Sequence, residues 1–157
     1  MSRPFTSIVF VLSFAFAFLC FFAPLRGGVI YWRPMLVFLT VIFWLLAEPH
    51  TLGIGFAWIV GLILDLVSGG VLGEHALALA ISAYLLQLAG QRMNNFSVLH
   101  QVMVVAGLAL FYQLAHIVIS LVGGQDADTW RMLYAVISTV VLWPFWAMLL
   151  WKFYRPE

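Results

Sequence analysis

Asp65 is the residue of this chain whose type and position most invite chemistry. It is the one ionisable side chain between Leu52 and Val67, in a run apolar enough to enter a bilayer. A carboxylate in such a run is costly and is kept for a partner or a role. It also falls in the last turn before Ser68-Gly69-Gly70, where the negative end of a helix dipole disfavours it. Something must therefore compensate it. With six spans, Arg33 opens segment two at the same outer level. His116 lies in the outer half of segment five, with Tyr112 and Gln113 nearby, and Arg131 opens segment six. Three readings stay open: a structural ion pair or network, most simply Arg33–Asp65; a contact to a ligand or partner; and a proton relay.

The residues around Asp65 form a pattern of their own. Gly53, Ala57, Gly61, Asp65 and Gly69 recur every four positions, which aligns them on one helix face. Small residues at that spacing let a second helix backbone come close. The face serves either packing within this chain or a partner subunit.

Other reactive side chains form no constellation. His50, His75, His100 and His116 are 25, 25 and 16 positions apart, without the short helical spacing of a metal site. No Gly-x-Ser-x-Gly elbow, phosphate loop or intramembrane Gly-x-Gly-Asp signature occurs, and Ser82, Ser120 and Ser138 fall inside apolar helical runs where they back-bond to their own carbonyls. A single cysteine, Cys20, excludes a disulfide within the chain. Neither an enzyme nor a cofactor site is expected.

Hydrophobic residues make up 65% of the 157 positions and charged residues 8%, against about 25% charged in an ordinary soluble domain. Net charge is +1 and polar stretches are short, which excludes a nucleic-acid surface and an extramembrane catalytic domain. Phe5–Ala23 and Val98–Val122 are each long enough to cross the ~30 Å hydrocarbon layer. The chain therefore reads as one all-α polytopic membrane domain over residues 1–157. Seven Trp and 17% aromatic residues suit interfacial belts and tight helix packing.

Six apolar segments are predicted: Phe5–Ala23, Met35–Ala47, Leu52–Val67, Leu72–Gly90, Val98–Val122 and Thr129–Tyr154, the last kinked at Pro144. The first, preceded by Arg3, exceeds the 7–15 residues of a signal-peptide core and has no small-x-small site after it, so it is expected to be a retained span. Segment two is short, and five spans with this segment re-entrant is the alternative. Six spans place both termini on one side with Arg3, Arg92, Lys152 and Arg155, opposite Arg26, Arg33 and Arg131. The positive-inside rule then sets both termini in the cytoplasm.

Three stretches together resemble the MreD family of bacterial rod shape-determining membrane proteins. They are Arg33-Pro34 with the run through Trp44 to Ala47 and Pro49-His50; Gly53-Ile54-Gly55-Phe56, Gly61-Leu62-Ile63-Leu64-Asp65-Leu66, Ser68-Gly69, Leu72-Gly73 and Ala76-Leu77-Ala78; and Val141-Leu142-Trp143-Pro144. The resemblance implies a non-enzymatic inner-membrane scaffold of the cell-elongation machinery. It implies MreC as partner and, through it, MreB, RodA and a class B penicillin-binding transpeptidase. It also implies a distant similarity to the six-helix substrate-binding subunits of energy-coupling-factor transporters. The rival function is accordingly a vitamin-type substrate-binding subunit, with Asp65, His116 and Arg33 lining its cavity.

Overall fold

The computed structural model describes residues 4–23, 35–69, 71–89, 98–122 and 129–154, and among them every regular element is helical. The six helices are α1 (Pro4–Phe22), α2 (Leu36–Ala47), α3 (Ile54–Ser68), α4 (Glu74–Leu88), α5 (Val98–Val122) and α6 (Thr129–Phe153). All six fall within about two residues of the apolar segments read from the sequence.

α2 organises the rest. Every residue from Leu36 to Leu45 is buried, including Phe38, Phe43 and Trp44. A helix that is apolar all round belongs in a core. α1, α4 and α6 pack against α2, while α3 lies on α4, α4 on α5 and α5 on α6. The 12 residues of α2 rise only ~18 Å, well short of the hydrocarbon thickness. Its length reflects a place inside the bundle rather than against lipid.

The outside of the bundle is as apolar as the inside. Leu12 and Leu19 on α1, Leu66 on α3, Leu88 on α4, Leu114 on α5 and Phe145 and Met148 on α6 are all exposed. In water such a surface would aggregate, whereas hydrocarbon accommodates it. Within the described residues, Leu99–Ile119 and Leu133–Phe153 are long and apolar enough to cross a membrane, and the other helices are shorter. The architecture is consistent with a helical membrane protein. α6 continues through Pro144 as a single helix.

The two ends of the bundle differ. At one end Trp44 donates its indole N–H to Ser13 Oγ at 2.9 Å, and Ser13 donates in turn to the Phe10 carbonyl at 2.8 Å. Phe10 meets the Trp44 ring edge-on, and Phe10, Phe14 and Phe56 pack on one another at tilted or edge-to-face angles. Tyr154, just past α6, packs on Phe43, Trp44 and Trp151 and donates its hydroxyl to Glu48 Oε1 at 2.7 Å. The opposite end carries Asp65.

Candidate functional site

Asp65 closes the joint between α3 and α4. α3 stops at Ser68 because Gly69 takes a left-handed conformation (φ 67°), its N–H bonded to the Asp65 carbonyl. The chain turns, and Gly73, at φ 98°, starts α4. This reversal brings the first amides of α4 onto the Asp65 side chain. Asp65 Oδ2 accepts from Gly73 N at 2.9 Å and Ala76 N at 3.2 Å, and Oδ1 accepts from His75 N at 2.8 Å. The side chain is fully buried.

This geometry removes the conflict that the sequence posed. The first N–H groups of a helix have no partner of their own, and the positive end of its dipole attracts an anion. Asp65 sits unfavourably at the end of its own helix and favourably at the start of the next. A carboxylate eight residues before it thus supplies the cap that Gly73, without a side chain, does not.

The imidazole of His75 completes the shell, with Nδ1 at 2.9 Å from Asp65 Oδ1. To donate there, Nδ1 carries the proton, which in the neutral ring leaves Nε2 as an acceptor. A parallel pair lies beside it: His116 Nδ1 on α5 is 3.2 Å from Glu74 Oε1 in the first turn of α4. The two rings meet edge to face with centroids 5.3 Å apart. Two acids and two imidazoles from three helices form one cluster.

Of the expected partners of Asp65, His116 reaches the cluster through Glu74. Arg33 and the side chain of Arg131 lie outside the described residues, as does the Arg33–Asp65 pair. Sequence reasoning passed over Glu74 and His75 as partners. Their signal was their place in the first turn after the Ser68-Gly69-Gly70 break, where a helix start exposes amides to a nearby acid.

The small-residue face is occupied within the chain. Ala57, Gly61 and Asp65 are buried on the side of α3 that meets α4. A Cβ on Gly61 would press on Ala76 Cα and stand 2.6 Å from Ala76 N and 2.7 Å from the His75 carbonyl oxygen. Gly61 is therefore what lets α4 come close enough for its amides to reach Asp65. Gly53, at the far end of the face, is looser: a Cβ added there would meet the Gln87 amide nitrogen at 3.7 Å, an ordinary contact.

Next to the cluster is a cavity of about 160 Å³ between α1, α2, α3, α4 and α5. Ala17, Leu36, Phe38 and Leu64 give it apolar walls, and His75, Tyr112, Gln113 and His116 give it one polar side.

Comparison with known proteins follows the same lines. Residues 2–153 match the family described as rod shape-determining protein MreD. The rod shape-determining protein MreD of Haemophilus influenzae (strain ATCC 51907 / DSM 11121 / KW20 / Rd) is 28% identical over 139 residues, covering 88% of this chain and 85% of that protein. No solved structure matches.

Proposed function

Since the chain belongs to the rod shape-determining MreD family, we propose that it is a non-enzymatic scaffold of the cell-elongation complex in the bacterial inner membrane. It binds MreC and through it supports MreB, RodA and the class B transpeptidase in peripheral peptidoglycan synthesis. The family match over nearly the whole chain carries this reading. The apolar exterior of the bundle supports it, because a scaffold of this kind meets its partners within or at the bilayer. The transport reading gains no support from the matches.

In this reading the chain crosses the membrane six times with both termini cytoplasmic, and the Asp65 cluster lies at the periplasmic end. Arg33 adds a positive charge to that cluster. The α3 face of Gly53, Ala57, Gly61 and Asp65 acts on MreC by fixing how α3 and α4 present their outer sides, with His116 bracing α5 against α4.

Co-purification tests the proposal directly. The tagged chain, expressed in a rod-shaped bacterium lacking its own MreD, should restore rods and retain MreC through solubilisation in mild detergent. Restored rods without retained MreC would defeat the MreC scaffold. For topology, alkaline phosphatase fused after Glu157 should be inactive, and active when inserted between residues 124 and 128. For the charge network, Arg33→Ala and Asp65→Ala should each lower abundance, and the double variant should recover part of the loss. Strictly additive losses would remove Arg33 from the cluster.

A further inference from the structure

We propose that the cavity beside the Asp65 cluster is a binding site for a small, neutral, ring-sized molecule that both accepts and donates hydrogen bonds along one edge. Size is the first constraint. At about 160 Å³ the cavity is close to the ~150 Å³ engineered cavity that admits benzene. An acyl chain or a full lipid headgroup is too large for it.

Unused hydrogen-bonding capacity is the second. Tyr112 is 6% exposed and Gln113 is 9% exposed, and both line the cavity. Among the described residues, no hydrogen bond engages the Tyr112 hydroxyl or the Gln113 amide. Both side chains line the cavity, and polar groups that face a cavity can take their hydrogen bonds from an occupant. His75 adds a third group, because its Nδ1 is committed to Asp65 and its Nε2 is not. Together they offer a ligand a phenol donor, an imidazole acceptor and an amide that does both.

Electrostatics and wall chemistry narrow the class. Asp65 and Glu74 stand behind the polar side, both within electrostatic reach of Tyr112, so a bound anion would face two carboxylates. Phe38, Leu36 and Leu64 form the opposite walls and favour an apolar ring face. A neutral ring with an amide-like edge satisfies every wall. The inference does not depend on the scaffold reading, and its failure would leave MreC binding untouched.

Benzamide is the probe, with toluene as the apolar isostere and benzoate as the anion, added at millimolar concentration to the purified full chain in detergent while thermal unfolding is followed by calorimetry. Benzamide should raise Tm saturably, as a ligand of the native state does. Toluene and benzoate should raise it less. Gln113→Leu and Tyr112→Phe should each weaken the benzamide response several-fold. No saturable rise with benzamide overturns the proposal. So does an equal rise with toluene, which would mean simple partitioning into an apolar void. If either variant fails to fold, the discrimination between benzamide and toluene by the unaltered chain decides alone.

Discussion

The two ends of this bundle solve the problem of polar atoms in an apolar interior in opposite ways. At the Tyr154 end, polarity is scarce and local. One indole meets one hydroxyl, one phenol meets Glu48, and aromatic rings fill the remaining space. At the Asp65 end, two acids and two imidazoles are drawn together with a row of helix amides, and a cavity remains beside them. Single hydrogen bonds contribute about 0.5–1.5 kcal/mol each, more to a charged acceptor, and losing one does not strand the others. A buried hydrogen-bonded network around a carboxylate is high-stakes, since removing one member strands the others. The first end is a clamp that tolerates damage. The second is a joint whose geometry depends on all its members, which is where a partner or ligand gains most leverage.

That contrast is broken most directly at Asp65. Asp65→Ala leaves Gly73 N, His75 N and Ala76 N without their acceptor and His75 without its carboxylate. Each buried donor left without its acceptor costs about 1–3 kcal/mol, and four lose theirs at once. The variant should accumulate poorly, and its unfolding temperature in detergent should fall further than that of any substitution at the Tyr154 end. Asp65→Asn keeps an acceptor and should recover part of the loss.

Gly61 comes next, because it tests whether the joint needs α4 at its present distance. Gly61→Leu overpacks the contact with Ala76, at a typical cost of about 1–3 kcal/mol. Gly61→Ala should show the same sign, since a bare Cβ already meets backbone. Cysteine pairs placed on α3 and α4 near this contact should cross-link less efficiently in the variant. Unchanged cross-linking and stability would mean that α4 does not depend on Gly61.

The smallest effect is expected at Tyr154. Tyr154→Phe removes the bond to Glu48 and should cost about 0.5–1.5 kcal/mol. Burial, and then the hydrogen bond and charge of Glu48, push the Tyr154 phenol from 10.0 up to about 12. The folded protein holds that proton more tightly than the unfolded chain. Its contribution is therefore complete below pH 10 and is lost as pH rises through about 12. Unfolding temperatures measured across this window should fall more steeply for the unaltered chain than for Tyr154→Phe. Equal slopes would detach Tyr154 from the clamp, and a loss rivalling that of Asp65→Ala would erase the difference between the ends.

Much of this was legible in the residues. Pro and Gly punctuate apolar runs that suit helices, so α5 emerges at Val98–Val122 as read and α2 at Leu36–Ala47, one residue inside its predicted start. α4 begins at Glu74 rather than near Leu72, because the positive φ of Gly73 keeps the turn open until that point. Asp65 stood out because a carboxylate in an apolar run cannot be left uncompensated.

What compensates it was decided by tertiary structure. The cap consists of backbone N–H groups, which every residue carries and no side-chain pattern reveals. His75 becomes a neighbour only after the chain reverses through Gly69 and Gly73. Likewise, the four-residue spacing of small side chains guaranteed a close helix approach but not whose helix would approach, and the fold assigns that place to α4. The sequence by itself determined an all-helical, apolar-surfaced protein and its one conspicuous acid, because hydrophobicity and periodicity are local properties. The central place of α2, the two acid–imidazole pairs and the cavity beside them exist only once separate helices are packed, because each is made of groups far apart along the chain.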